Sequence, residues 1–465
     1  MQARYAKLRE IIVALENRIV GGSFLVFITQ LFLFPLSILL ARLLLPSGRG
    51  QYALIVLIPT FIIQVVDPVF GSAIIYLLGQ RQYSVAQMAS VMFKMSIVCG
   101  LLGVAVFALL MTSVPFLAWV GLDDAHNISG LVWISVLMIP FILASQYFSS
   151  ILLSIKKIVE YNVIQILSPM IQIFLVISIG LLGQFNLDRA ILSYSVALVA
   201  TSGLSIWFVR KAVPFNLFAF SKTDYQLVKD AFRFGMKGYI GRICSTGGLR
   251  LDAFLISSLL DSANLGIYTI AVSLVEKLWL ISRSIATVLY PSISNASGDE
   301  GTALTTKAGR HTFFVMSLAA LTLAILSRPL ILTLYGVAYS GAVMALIVLL
   351  PGIVLLGMGG IVSCYITGKG HPEYGVPPAI ASIVINILLN LYLIPKSGII
   401  GASLASTISY SINAIVLLVI FLKMSRTKIF ELFAIRGSDL KLYKTLIVSF
   451  YQKLTQWLST KESFE

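Results

Sequence analysis

The run AYSGAVMALIVLLPGIVLLGMGGIVSCYIT fills residues 338–367 without one Asp, Glu, Lys or Arg. As a helix it would rise about 45 Å at ~1.5 Å per residue, enough to cross the ~30 Å hydrocarbon core of a bilayer with some tilt. A helix of that length on a soluble protein needs a charged face, and this one has none. Comparable runs recur along the chain, at 19–44, 50–79, 88–112, 128–155, 159–183 and 188–212, then at 231–259, 263–290, 308–327, 374–395 and 398–423. With the opening run they make twelve. Composition agrees. Of 465 residues, 58% are hydrophobic and 11% charged, against about 25% charged in soluble domains. That excludes a cytosolic enzyme, a nucleic-acid-binding module and a disordered chain.

The polar remainder sets boundaries and orientation. Residues 1–18 read as a cytoplasmic N-terminal segment, 19–212 as a first six-helix bundle, 213–229 as a cytoplasmic central loop, and 230–424 as a second six-helix bundle. The basic stretch 425–465 suits a surface amphipathic helix. With both termini in the cytoplasm, inner segments hold 24 Lys and Arg, eight of them from Lys423 onward. Outer loops hold five: Arg42, Arg49, Arg189, Arg328 and Lys396. The net charge of +15 is therefore the positive-inside bias and not a nucleic-acid signal. The longest outer loop, 113–127 with Asp123 and Asp124, is too short to house a catalytic domain. Neither catalytic residues nor a metal set emerges, since the three histidines share no motif spacing. The three cysteines lie in apolar segments, which argues against disulfides.

Two stretches repeat. Gly50-Gln51-Tyr52-Ala53 returns as Gly266-Ile267-Tyr268-Thr269, 216 residues on. Lys156-Lys157-Ile158-Val159-Glu160-Tyr161 returns as Lys369-Gly370-His371-Pro372-Glu373-Tyr374, 213 residues on. Six spans per unit is an even number, so both units enter the membrane from one side. They are parallel repeats, related by a pseudo-two-fold axis along the membrane normal, with a central cavity between two bundles.

Ionisable residues inside the spans point to that cavity. Each charge facing lipid at mid-depth costs about 2.5–3.5 kcal/mol on insertion scales. Lys94 reaches the cytoplasmic edge by snorkelling. Span seven aligns Lys237, Gly241, Ser245, Gly248 and Asp252 on one face, with Gly238, Arg242, Thr246 and Arg250 beside it. This wide polar face lines a cavity or serves as a small-residue packing face. Span eight puts Glu276 and Arg283 on one face, as cavity groups or as an ion pair, and turns Lys277 about 100° away. Asp67-Pro68 marks a kink in span two, at the cleft or in packing. Arg242, Arg250, Lys277 and Arg283 are the candidate substrate-binding cations. Asp67, Asp252 and Glu276 are candidate coupling or ion-pair carboxylates.

Three segments carry a family resemblance. Asn386-Ile-Leu-Leu-Asn390-Leu-Tyr-Leu-Ile-Pro395-Lys-Ser-Gly398-Ile-Ile-Gly401-Ala402-Ser403-Leu-Ala405, closing with Ser409-Tyr410, resembles the C-terminal signature of polysaccharide exporters. Asp252 through Gly266-Ile-Tyr268, followed by Tyr290-Pro291-Ser292, does the same, as does Arg42-Leu-Leu-Leu-Pro46-Ser-Gly-Arg-Gly50-Gln-Tyr52. The chain thus resembles the Wzx-type O-antigen and polysaccharide flippases of the multidrug, oligosaccharidyl-lipid and polysaccharide exporter superfamily. That resemblance implies an all-α inner-membrane flippase for an undecaprenyl-pyrophosphate-linked oligosaccharide, working by alternating access beside a polysaccharide polymerase and a chain-length regulator. It implies no cofactor, leaving H⁺ or Na⁺ coupling open. The signature residues read as structural, Pro395 and Gly398 as a turn, and Gly401, Ala402, Ser403 and Ala405 as helix contacts. The competing readings are a cation-coupled multidrug exporter, which the cationic span-seven face disfavours, and a peptidoglycan-precursor flippase, which usually has fourteen spans.

Overall fold

The computed structural model describes residues 2–112, 126–183, 185–217, 224–243, 250–295 and 299–434. For 2–33, 126–129, 237, 238, 240, 241, 288, 291 and 295 it describes the backbone path alone. The long outer loop 113–125, most of the span-seven glycine face, Cys244 and the tail beyond Ala434 lie outside the described residues.

Among the described residues fourteen α-helices follow one another: α1 Gln2–Val66, α2 Phe70–Gly79, α3 Val85–Met111, α4 His126–Leu137, α5 Ile139–Ser154, α6 Ile158–Leu181, α7 Leu187–Ala212, α8 Asp224–Arg242, α9 Leu251–Leu259, α10 Ser262–Asn295, α11 Glu300–Leu334, α12 Ala342–Gly368, α13 Val376–Ser425 and α14 Phe430–Phe433. Among the described residues, nine helices are long and apolar enough to cross a membrane. Two of these are internally broken, at Leu45 in α1 (φ 58°, ψ 175°) and at Gly398 in α13 (φ 57°, ψ −139°). Leu45 precedes Pro46, whose ring keeps the preceding residue out of the helical region. Gly398 follows Pro395 and takes a conformation that glycine alone adopts easily. With these two breaks, and with α8 and α9 in the place of span seven, the helices follow the twelve expected spans in order. The protein is an all-α multi-pass membrane protein. Leu109, Phe174 and Leu181 are 71%, 69% and 84% exposed, which water would penalise and lipid accepts.

The kink expected at Asp67-Pro68 is a full interruption. α1 stops at Val66, Val69 turns left-handed (φ 61°), and α2 restarts at Phe70. The Asp67 carboxylate accepts the Phe70 N–H at 3.2 Å, satisfying a donor at the new helix start.

The repeat appears in the backbone. After α5, Lys157 N–H bonds Leu152 O (2.9 Å) and Lys156 N–H bonds Leu153 O (3.1 Å); after α12, His371 N–H bonds Ile366 O (3.1 Å) and Gly370 N–H bonds Thr367 O (3.0 Å). Lys156 and Gly370 have positive φ, 62° and 91°. These are the same helix-ending motif 214 residues apart.

Chain contacts form two compact units. Unit one comprises Met1–Ser273, Ser327–Val348 and Ile383–Ser406. It therefore joins the first half of the chain to the second-half helix ends that flank Leu260, Gly336 and Gly398. Inside it, α3 packs on α5, and α7 packs on α5 and α6, around a fully buried core that includes Phe70, Met88, Phe107, Tyr147 and Phe148. At its turn end, Gly50 and Gly266 meet backbone to backbone. A Cβ on Gly50 would lie 2.8 Å from Gly266 N, and one on Gly266 3.0 Å from Gly50 N. Such reciprocity is what a two-fold relation produces on its axis, and two glycines permit the approach.

Unit two comprises Leu274–Leu326, Leu349–Ser382 and Thr407–Glu465. Its core gathers Ile293, Met358, Tyr365 and Phe421, and Leu432 of α14 is wholly buried in the same cluster. Arg310 also donates to the Glu431 carbonyl at 3.1 Å. At the start of the basic tail Leu432 and Phe433 find an apolar seat among α11, α12 and α13, while Ile429 and Phe430 stay exposed.

Candidate functional site

The intramembrane charges fall into three groups. In unit one, Asp67 (3% exposed) sits in the break between α1 and α2. Its Oδ1 accepts from Tyr147 Oη at 2.9 Å and its Oδ2 from Arg242 Nη1 at 3.0 Å. Arg242 Nη2 also donates to the Asp67 carbonyl. The last turns of α8 are built to reach this break. Tyr239 Oη donates to Val65 O at 2.5 Å, and Gly235 passes the Pro68 carbonyl so closely that no Cβ fits. At its other end α8 is tied down by Asp224, whose carboxylate takes Lys94 Nζ at 2.6 Å, and by Asp230, which accepts Tyr83 Oη at 2.6 Å. Lys94 thus pairs with an acid at a helix N-terminus, where the backbone dipole favours the negative charge. Burial and the neighbouring Asp230 carboxylate push the Tyr83 hydroxyl up to about 12.

The second group, also in unit one, surrounds Asp252 (4% exposed) on α9. Its Oδ1 accepts the Ala253 N–H at 2.8 Å. Its Oδ2 accepts Tyr268 Oη and, at 3.4 Å, Ser406 Oγ. Asn386 Nδ2 donates to Ser406 Oγ at 3.4 Å, and Asn390 Nδ2 to Asn386 Oδ1 at 2.9 Å. The amide oxygen of Asn390 is buried without a hydrogen-bond partner. Asn386, Asn390 and Ser406 are all buried, so a line of oxygens runs from Asp252 into α13. Among the described residues no cluster of three or more His, Cys, Asp or Glu suits a metal ion. The oxygen donors here, one charged and the rest neutral, fit a proton or a hard monovalent cation by chemistry.

The third group lies on α10 in unit two. Glu276 and Lys277 are half-buried neighbours, and Arg283 is exposed with its guanidinium 5.1 Å from the centre of the Trp279 ring. Their spacing allows a Glu276–Arg283 ion pair, and here the Arg283 guanidinium lies against the Trp279 ring. Arg250 is exposed immediately before α9. Thus Asp67 and Arg242 are brought together, and Asp252 is drawn to α10 and α13. Sequence alone did not single out Tyr147, and gave no role to Tyr268, which with Tyr147 binds the two carboxylates, or to Asn386 and Asn390. Two amides four apart inside an apolar run were the available signal.

The chain matches the family model described as "Polysaccharide biosynthesis protein" over residues 39–344. It is 20% identical over 267 residues to the probable low-salt glycan biosynthesis flippase Agl15 of Haloferax volcanii, covering 57% of this chain and 54% of that one. It therefore spans about half the length of that relative. It is 22% identical over 288 residues to a putative O-antigen transporter of Shigella flexneri, covering 62% of this chain and 68% of the relative. Among solved structures, the lipid II flippase MurJ in an inward closed conformation superposes with TM-score 0.72 and 20% identity, over 94% of this chain and 93% of MurJ. The expected two-lobe membrane fold is therefore present.

Proposed function

The chain belongs to the polysaccharide biosynthesis protein family, and on that premise we propose that it moves an undecaprenyl-pyrophosphate-linked oligosaccharide across the bacterial inner membrane by alternating access, both termini being cytoplasmic. The protein is a transporter of the flippase superfamily, as its named relatives are. The observation that carries the finer reading is the Asp67–Arg242 pair. A guanidinium is held against a buried carboxylate at a helix break, with 22% of its side chain still exposed. Guanidinium offers phosphate a planar, multi-donor face. Arg250, exposed in the same unit, adds a second cation. Paired in this way, Arg242 trades one anion for another, and Asp67 limits how tightly a pyrophosphate is held.

Coupling belongs to Asp252 in this reading. Proton or Na⁺ binding at its oxygens, with Ser406, Asn386 and Asn390 in line, neutralises a carboxylate that bridges α9, α10 and α13. Loss and gain of that charge bias the packing of those helices.

The test is translocation in proteoliposomes with three substrates: an undecaprenyl-pyrophosphate glycan, lipid II and a cationic dye. The glycan should move and the other two should not. Arg250→Ala protein, inserted at the wild-type level, should lose transport, and Arg250→Lys should regain only part of it. Transport of the dye alone would replace this reading with the multidrug one, and of lipid II alone with the peptidoglycan-precursor one.

A further inference from the structure

The charge bias assigns Arg42 and Arg49 to one outer loop, yet the structure gives them different fates. Arg42 donates to the carbonyls of Thr333 and Leu334, the latter at 2.6 Å, and so caps the end of α11. Arg49 lies inside unit one beside the Gly50–Gly266 contact. Its guanidinium sits 5.6 Å from the centre of the Tyr52 ring. Its electrostatic neighbours are Tyr52, Tyr339 and Tyr335, with no carboxylate among them. Arg49 Nε is buried without a hydrogen-bond partner, and the same holds for Tyr335 Oη and Ser37 Oγ. Tyr335 Oη faces the Ser37 and Ser273 hydroxyls and Arg49, near enough to both hydroxyls for loose hydrogen bonding but without a well-formed bond to either. Tyr339 is committed elsewhere, donating to Ala41 O at 2.8 Å, and its ring lies 6.2 Å from that of Tyr335.

Buried polar atoms are nearly always bonded, so an unbonded guanidinium Nε beside two hydroxyls that bond each other only loosely calls for a reason. All three groups can donate hydrogen bonds, and among the described residues the formal charge here is positive. A ring face answers part of the charge but offers no acceptor for an N–H. A metal would be repelled, and a neutral sugar would leave the charge unanswered. The remaining match is a compact oxyanion, for which guanidinium and hydroxyl donors are the usual partners.

We propose that Arg49, Tyr335 and Ser37 form an anion station for a phosphate group, covered here by the Gly50–Gly266 contact and uncovered when that contact separates. Resting on the transport reading, its role is to receive the pyrophosphate at the outer end after Arg242 and Arg250 release it. Arg42 cannot serve, since its donors are spent on α11.

Phenylglyoxal modification of Arg49, followed by peptide mass spectrometry, reads this site alone. It is run on wild-type protein in nanodiscs, on Gly266→Val, whose side chain collides with Pro46 O, and on Tyr339→Ala as a milder uncovering. Arg49 should react slowly in the wild type and at least tenfold faster in a variant. Farnesyl pyrophosphate should then protect it at least fivefold, inorganic pyrophosphate at higher concentration, and farnesol not at all. Ser37→Ala and Tyr335→Phe should each cut protection about threefold. Protection by inorganic pyrophosphate alone removes the lipid-linked headgroup and overturns the transport role. Equal protection by sulfate at matched ionic strength reduces the site to charge screening and overturns it. A reactive Arg49 that neither pyrophosphate protects refutes the station, as does an Arg49 unreactive in all three proteins, since no solute would reach it. Failure of the transport reading is separate: it would appear as movement of the dye alone or of lipid II alone in proteoliposomes, with Arg49 protection unaffected.

Discussion

Replacing Asp67 with Asn keeps the shape of the side chain and removes its charge. Asp67 and Arg242 side chains are 4% and 22% exposed. Removing one partner of a fully buried ion pair costs about 3–5 kcal/mol, chiefly by leaving the other charge unanswered. Arg242 keeps its bond to the Asp67 carbonyl and some solvent, so the cost should fall near the low end, about 2–3 kcal/mol. That is a factor of roughly 30–150 in the unfolding equilibrium, at about 1.4 kcal/mol per tenfold. Arg242→Gln should cost a similar amount, because it strands Asp67 with only Tyr147 and the Phe70 N–H as donors. The double variant should lose much less than the two losses added, with a coupling energy of about 2 kcal/mol, since residues in direct contact couple. Reversible unfolding in SDS mixed micelles, followed by circular dichroism, measures all four proteins. A coupling energy under about 0.5 kcal/mol would show that the pair is not energetically real and refute the argument. The same cycle separates structure from transport. If Arg242 also meets the substrate, the double variant should recover stability and remain inactive in glycan transport. Recovery of both would reduce Arg242 to a structural partner.

Ser47 and Ser262 hydroxyl oxygens lie 3.1 Å apart across the Gly50–Gly266 contact, so a Ser47→Cys/Ser262→Cys protein should cross-link readily and stop transport until reduced, as read on gels and in proteoliposomes. Asp252→Asn should abolish the dependence of transport on a pH or Na⁺ gradient while leaving insertion intact; unchanged gradient dependence would remove Asp252 from coupling. Leu432→Ala should lower the unfolding free energy by about 2–3 kcal/mol, because Leu432 is wholly buried, whereas a surface-lying tail would lose almost nothing. External thiol-reactive labels should reach single cysteines in 121–127 and miss those in 213–229; labelling of the central loop from outside would reverse the orientation.

What the sequence determined by itself was whatever is written locally along the chain. Helix length and apolarity gave the membrane class and the twelve spans, since a bilayer imposes both on each segment separately. Proline and glycine placed the breaks at Leu45, at Asp67-Pro68 and at Gly398, because these residues act on their own backbone and that of their immediate neighbours. The repeat was visible because Gly50 and Gly266 must both be small where two backbones touch. Which charges meet was decided by tertiary structure alone. Asp67 and Arg242 are 175 residues apart, and Asp252 and Ser406 are 154 apart. Spacing allowed Arg283 to pair with Glu276 within one helix, yet Arg283 turned onto Trp279. The charge bias puts Arg49 in an outer loop, and only packing shows that its neighbours are Tyr52, Tyr339 and Tyr335. A spacing fixes which face of its own helix a side chain occupies. What that face meets depends on how each helix is rotated and where it crosses its neighbours, and those are properties of the packed molecule rather than of any one segment.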